Sequence, residues 1–128
     1  MFQKLTHAGV ADGTGCGWVQ VFHLYRGSRR RYAGVGDFTK LSIRSMVSYP
    51  RPIRGRRYRP LRIGFVVRGF VCNVRAWVCF GDSARMRFLS NGVVLVRRRG
   101  MFRSKYVYSP LSRLVRRRQY GMLFAAVC

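Results

Sequence analysis

Across residues 38–47 polar and apolar side chains alternate almost one for one. Lys40, Ser42 and Arg44 fall on one side; Thr39, Leu41 and Ile43 fall on the other, with Met46 close to them. A period of two is the mark of a half-buried strand. Short strand-like runs recur at residues 1–10, 18–25, 61–68, 70–80, 86–88 and 93–96. Turn residues separate them: Asp12 with Gly13 and Gly15, then Gly81-Asp82-Ser83, then Ser90-Asn91-Gly92. Asp closes Asx-turns, glycine reaches dihedrals that other residues avoid, and Asn-Gly ahead of an apolar run is a hairpin cue. In 18–25, Val19, Val21, His23 and Tyr25 share one face and Trp18, Gln20, Phe22 and Leu24 the other. Apolar residues on both faces predict a largely buried strand.

Residues 49–60 break the pattern. Pro50, Pro52 and Pro60 cannot pair in a central strand, and Arg54, Arg56 and Arg57 stand among them, so the segment reads as an arm or long loop. Ser109-Pro110-Leu111 has the grammar of a helix start, with Ser as cap and Pro first in the helix. Leu111, Leu114 and Val115 then share one face, and Gly121 can end a helical region over residues 109–121. Many short strands and one late helix indicate an all-β fold, a small barrel, in a single domain over residues 1–128.

Charge narrows the function. The chain has 128 residues with Lys+Arg 26 against Asp+Glu 3, a formal net charge of +23. Asp12, Asp37 and Asp82 are the only acids. Apolar residues at 48% allow a packed core, so the excess charge belongs to a folded surface that needs an anionic partner. Lys occurs only at positions 4, 40 and 105. Arginine in its place favours bidentate phosphate contacts and stacking. The run Arg29-Arg30-Arg31-Tyr32 followed by Gly34, Gly36 and Asp37 joins three guanidinium forks to an aromatic ring. Aromatics also sit beside cations at Arg57-Tyr58, Phe102-Arg103 and Lys105-Tyr106. Phosphate contacts interleaved with stacking rings are how irregular RNA is held. On charge alone, Arg29, Arg44, Arg54, Arg56, Arg57, Arg97, Arg98, Arg99, Arg116 and Arg117 are candidate RNA contacts.

Other chemistries lack their residues. Three isolated Asp in turn contexts do not make an acid–base pair. Gly13, Gly15 and Gly17 lack the Lys-Ser/Thr of a phosphate-binding loop. Cys16, Cys72, Cys79 and Cys128 include no Cys-x-x-Cys pair, and His7 and His23 do not complete a zinc spacing. The thiols are expected to be reduced core or surface residues, and no metal, cofactor or catalytic activity is expected. Residues 1–10 carry Lys4 and His7 and do not read as a secretory signal. No apolar run approaches the roughly 20 residues that span a bilayer, so no membrane span is expected. Phe22, Phe38, Phe65 and Phe88 are expected in the core. A histone-like DNA-binding protein is the main alternative, and a cationic disulfide-bonded secreted protein a weaker one.

Met1, Gln3, Thr6, Val10, Ala11, Asp12 and Gly15, then Gly27-Ser28 and the unbroken Arg30–Asp37 stretch with Lys40, resemble the opening of the universal large-subunit ribosomal protein fourteen family. Further on, Gly64-Phe65-Val66-Val67, Asp82-Ser83, Phe88, Asn91, Val94-Leu95-Val96 and Ser109-Pro110 are similar to its later signatures. Ser83 and Ser109 stand where the family has Gly, and residues 67–82 and the Pro-rich arm run longer. The resemblance implies a closed five-stranded barrel with a projecting β-ribbon and a short C-terminal helical region. It implies a non-catalytic role: binding large-subunit rRNA, touching neighbouring large-subunit ribosomal proteins, and bridging to small-subunit rRNA. It adds Arg30, Arg31, Tyr32 and Lys40 as rRNA contacts. Alanine at Arg30 or Arg31 is therefore expected to weaken assembly far more than folding. Lys105 and Tyr106 replace other polar residues near the surface that in relatives receives a ribosome-silencing factor. Loss of Glu, gain of Arg and the extra lengths look like a mitochondrial copy made inside the organelle; a bacterial cytoplasmic source is the alternative.

Overall fold

Thr39, Leu41 and Ile43 are fully buried and Lys40 is exposed, so the alternation of residues 38–47 becomes a strand with one face inward. The computed structural model describes residues 1–25, 27, 29–48, 61–97 and 100–117. Among these, seven strands form: β1 (His7–Val10), β2 (Trp18–Leu24), β3 (Phe38–Ile43), β4 (Val66–Asn73), β5 (Val78–Cys79), β6 (Arg85–Met86) and β7 (Gly92–Val96). Five of them close a barrel in the order β1-β2-β3-β4-β7, while β5 and β6 form a separate two-stranded ribbon. All barrel pairings are antiparallel except β1 with β7. The whole of β7 is buried, as suits a continuous apolar run paired along both edges. The expected all-β barrel with a ribbon is the fold observed.

Asp12 fastens the parallel seam. The Ala11 N–H still donates to the Val93 carbonyl at 2.9 Å, but the chain then turns away from β7. From there the Asp12 side chain takes over, its Oδ2 accepting from the Leu95 N–H at 2.7 Å. Its Oδ1 accepts from the Thr14 N–H at 3.1 Å and from the Thr14 hydroxyl. Burial pushes the Asp12 carboxyl above its ordinary value of 3.8, against the opposing pull of these bonds and of Arg103.

Several boundaries differ from those the sequence suggests. Within residues 1–10 only His7–Val10 is strand, although buried Phe2 bridges to Ala33. Strand β2 is not buried on both faces. Phe22 faces outward with Trp18 and Gln20, and a register shift between Val21 and His23 turns His23 outward beside it and brings Leu24 back inside. Residues 61–68 and 70–80 do not form two strands; β4 runs straight through Gly69. The Asn91-Gly92 cue does not make a hairpin. Gly92 enters β7, and the Asn91 side-chain oxygen accepts from the Arg75 N–H at 2.9 Å. Phe38 packs on Phe70 against the core, but Phe65 and Phe22 are substantially exposed and Phe88 is half-buried.

The late helical turn starts later than its grammar implies. A 3-10 turn covers Arg113–Arg117, and Ser109-Pro110 does not cap it. Asn73 Nδ2 donates to the Pro110 carbonyl at 2.7 Å, which draws that carbonyl to the end of β4 and away from helical bonding. Ser112 takes the capping place, its carbonyl accepting from the Val115 N–H at 3.0 Å. Residues 118–121 and the Pro-rich arm at 49–60 lie outside the described residues.

Two backbone positions make predictions. An added Cβ on Gly69 would lie 2.1 Å from Leu41 Cδ1 inside the barrel. Gly69→Ala should cost about 1–3 kcal/mol, because a close-packed interior yields only by strain. Leu41→Ala should then cost less in the Gly69→Ala background than in the wild type, a coupling that a double-mutant cycle in denaturant unfolding measures. Ser83, in the β5–β6 turn closed by the Phe80 N–H to the Ala84 carbonyl, has φ of 63°. A left-handed serine costs roughly 1 kcal/mol that glycine does not. Ser83→Gly is expected to raise stability by about 0.5 kcal/mol, net of glycine's larger unfolded-state freedom, and Ser83→Val to lower it.

Candidate rRNA interface

The basic loop between β2 and β3 is held from three sides. Phe2 and Ala33 exchange both backbone hydrogen bonds at 2.9 Å. The Gly36 N–H donates to the Val71 carbonyl at 2.8 Å, and the Val71 N–H to the Asp37 carbonyl at 2.9 Å. Gly36 needs its φ of 84° to make that approach, whereas Gly34 has no positive φ. Asp37 holds the turn from within: its Oδ2 accepts from the Gly34 N–H at 2.9 Å and pairs with Arg30. Arg30 Nε also donates to the Tyr32 carbonyl at 2.7 Å.

This wiring separates three adjacent arginines by role. Arg30 is half-buried and spends its fork on Asp37 and the loop backbone. Arg29 and Arg31 are exposed, as is Tyr32 at 47%. With Gln3, Lys4 and Arg30 they line an open recess of about 660 Å³. Guanidinium groups, an ammonium and a ring around such a recess match a phosphate with an attached base. Gln3 and Lys4 were not among the sequence candidates. The Phe2–Ala33 bridge brings them in, and no local pattern announces it.

The remaining candidates are dispersed. Lys40 is exposed on the outer face of β3 and lines a different recess with Tyr25, Arg68 and Arg103. Arg44 follows β3, and its guanidinium grips the Gln20 side-chain oxygen, with Nε at 2.9 Å. Arg97 follows β7, and its carbonyl accepts from the Gly100 N–H at 3.0 Å. Arg116 and Arg117 belong to the 3-10 turn, while Arg54, Arg56, Arg57, Arg98 and Arg99 lie outside the described residues. Among the described residues Cys16, Cys72 and Cys79 are free thiols, the first two buried. Burial pushes both buried thiols above their ordinary range.

A closed barrel with a ribbon, a parallel seam and a basic loop of this construction invites comparison with ribosomal proteins. The family model for Ribosomal protein L14p/L23e matches residues 1–126. The chain belongs to that family. It is therefore a structural constituent of the large ribosomal subunit, associated with large-subunit rRNA and ribosomal proteins and serving translation. The L14p/L23e family is a structural family and not a family of enzymes. The DNA-compacting alternative gains nothing from the match.

Proposed function

We propose that Arg29, Arg31 and Tyr32, with Lys4 and Gln3 beside them, are this L14p/L23e protein's principal rRNA contact. One observation carries the reading. The Arg30–Asp37 clamp consumes one arginine to fix the loop and leaves its two neighbours and a tyrosine exposed around one recess. Arg30 thus serves the contact as a positioning residue. Lys40, Arg44 and Arg97 add phosphate contacts elsewhere, as do Arg54, Arg56, Arg57, Arg98, Arg99, Arg116 and Arg117.

A net charge of +23 exceeds what one face can use, which supports a second polyanion contact. In this reading that contact is an intersubunit bridge to small-subunit rRNA. Exposed Lys105, Tyr106 and Tyr108 offer a surface for a ribosome-silencing factor. The near-total replacement of acids by arginine supports a mitochondrial ribosome as the setting.

A sucrose gradient of mitochondrial lysate, run at low and high salt, tests the assignment. Co-sedimentation with the mitochondrial large subunit that withstands moderate salt is the expected result. Loose counterion-type binding would instead collapse by about a thousandfold between ~50 and ~200 mM salt. Free protein at the top, or protein that follows DNA, would overturn the proposal.

A further inference from the structure

Lys40 and Arg68 stand directly opposite each other across the β3–β4 ladder, both on the outer face. Like charges in that position destabilise a sheet unless an anion joins them. Arg68 also stacks on Tyr25, its guanidinium carbon 5.3 Å from the ring centroid. His23 packs edge-on against the same ring at 5.5 Å, so the platform is fixed in place. A third cation arrives from beyond β7. The Arg103 N–H donates to the Leu95 carbonyl at 3.0 Å, and its side-chain Nε is buried without a hydrogen-bond partner. Buried N–H donors are rarely left unmatched, and a guanidinium is costlier to strand than an amide.

These groups line one recess of about 440 Å³ with Val66, Val67 and Val96. None of its described lining residues is an acid. The volume falls in the range of small-ligand sites, and the lining joins three cations to a ring and a strip of valines. That combination suits a phosphate bearing a flat, weakly polar group.

We propose that this recess binds one unstacked RNA nucleotide, its phosphate on Lys40, Arg68 and Arg103 and its base continuing the Tyr25–Arg68 stack. The inference rests on the rRNA-binding reading and adds a nucleotide subsite, distinct from the Arg29–Tyr32 recess, for which Tyr25, Arg68 and Arg103 were not sequence candidates. An unpaired base is specified because stacking needs an exposed π-face, which a duplex does not offer.

The test is fluorescence anisotropy of the full chain with labelled single-stranded heptauridylate and with the same backbone lacking bases. The wild type should bind the base-bearing strand about tenfold more tightly than the abasic one, the preference expected for one stacked base. Tyr25→Leu should weaken that preference, leaving what the Tyr32 recess supplies, and Tyr25→Phe should retain it in full. Arg68→Ala should weaken both strands, and Lys40→Ala should lower the salt slope by about 0.7. Equal wild-type affinity for the two strands would overturn the inference without any variant having to fold. So would a preference that Tyr25→Leu leaves unchanged. If Arg29→Ala/Arg31→Ala blocks large-subunit incorporation while Arg68→Ala and Tyr25→Leu bind as the wild type does, the subsite falls and the rRNA reading stands. If none of these variants changes RNA binding or incorporation, both fall.

Discussion

Alanine at both Arg29 and Arg31 should reduce incorporation into the large subunit by about a hundredfold or more while leaving the melting temperature unchanged. Each side chain is exposed, and neither forms part of the Arg30–Asp37 clamp that fixes the loop. A hydrogen bond to a charged group is worth about 1.5–3 kcal/mol, so two lost guanidinium–phosphate contacts multiply to that loss or more. The salt dependence should also shrink, by about 0.7 to 0.9 in slope for each phosphate no longer neutralised. Arg30→Ala should behave differently. Asp37 is only 4% exposed, and removing the arginine takes one charged partner from this buried carboxylate and the donor from the Tyr32 carbonyl. Stability should fall by about 1–3 kcal/mol together with binding. Assembly assays paired with thermal melts of Arg30→Ala and of the double variant decide the matter. Indistinguishable behaviour in both assays would overturn the division of labour within the triplet.

That division marks the limit of what the sequence could reveal. Three consecutive arginines look equivalent, and nothing local says that the middle one turns back to an acid seven residues on. The barrel itself was far more legible. Leu41 and Ile43 alternate with Lys40 and Ser42 because β3 has one wet face, and Gly92–Val96 is apolar throughout because β7 has none. Readings failed where one residue perturbs a period or a distant side chain competes with a local rule. A single bulge in β2 turns His23 out and Leu24 in, where strict alternation from Val19 and Val21 would do the reverse. Asn73, 37 residues from Pro110, captures the carbonyl that a helix beginning at Ser109 would need. Ser83 shows the reverse case. Its position where relatives carry glycine was visible in the resemblance, and the structure gives the physical content of that departure as a left-handed φ.

Asp12→Ala should be the most damaging single change in the seam of the barrel, costing about 2–4 kcal/mol in denaturant unfolding. As an Asx-turn residue Asp12 was legible, and the Thr14 bonds bear that out. Its second oxygen reaches a residue 83 positions away, which no local pattern encodes. Alanine would strand the Leu95 N–H inside the barrel, on a strand already committed to β4 along its other edge. It would also release the turn that sends the chain from β1 back into β2. Asn is no full substitute, because its amide keeps only one acceptor where the carboxylate uses both oxygens. The effect should also depend on pH. Because burial raises the folded-state value above 3.8, the folded protein holds this proton more tightly than the unfolded chain does. The stability linked to that proton is fully present below pH 3.8 and is lost as pH rises through the folded-state value. The gap between wild type and Asp12→Ala should therefore be widest in acid and narrow toward neutrality, while remaining open because the Leu95 bond persists with the carboxylate charged. Unfolding curves at a series of pH values, in enough salt to screen the net charge, would show this; a gap that widens from acid to neutral pH would mean that hydrogen bonding, not burial, dominates the Asp12 carboxylate.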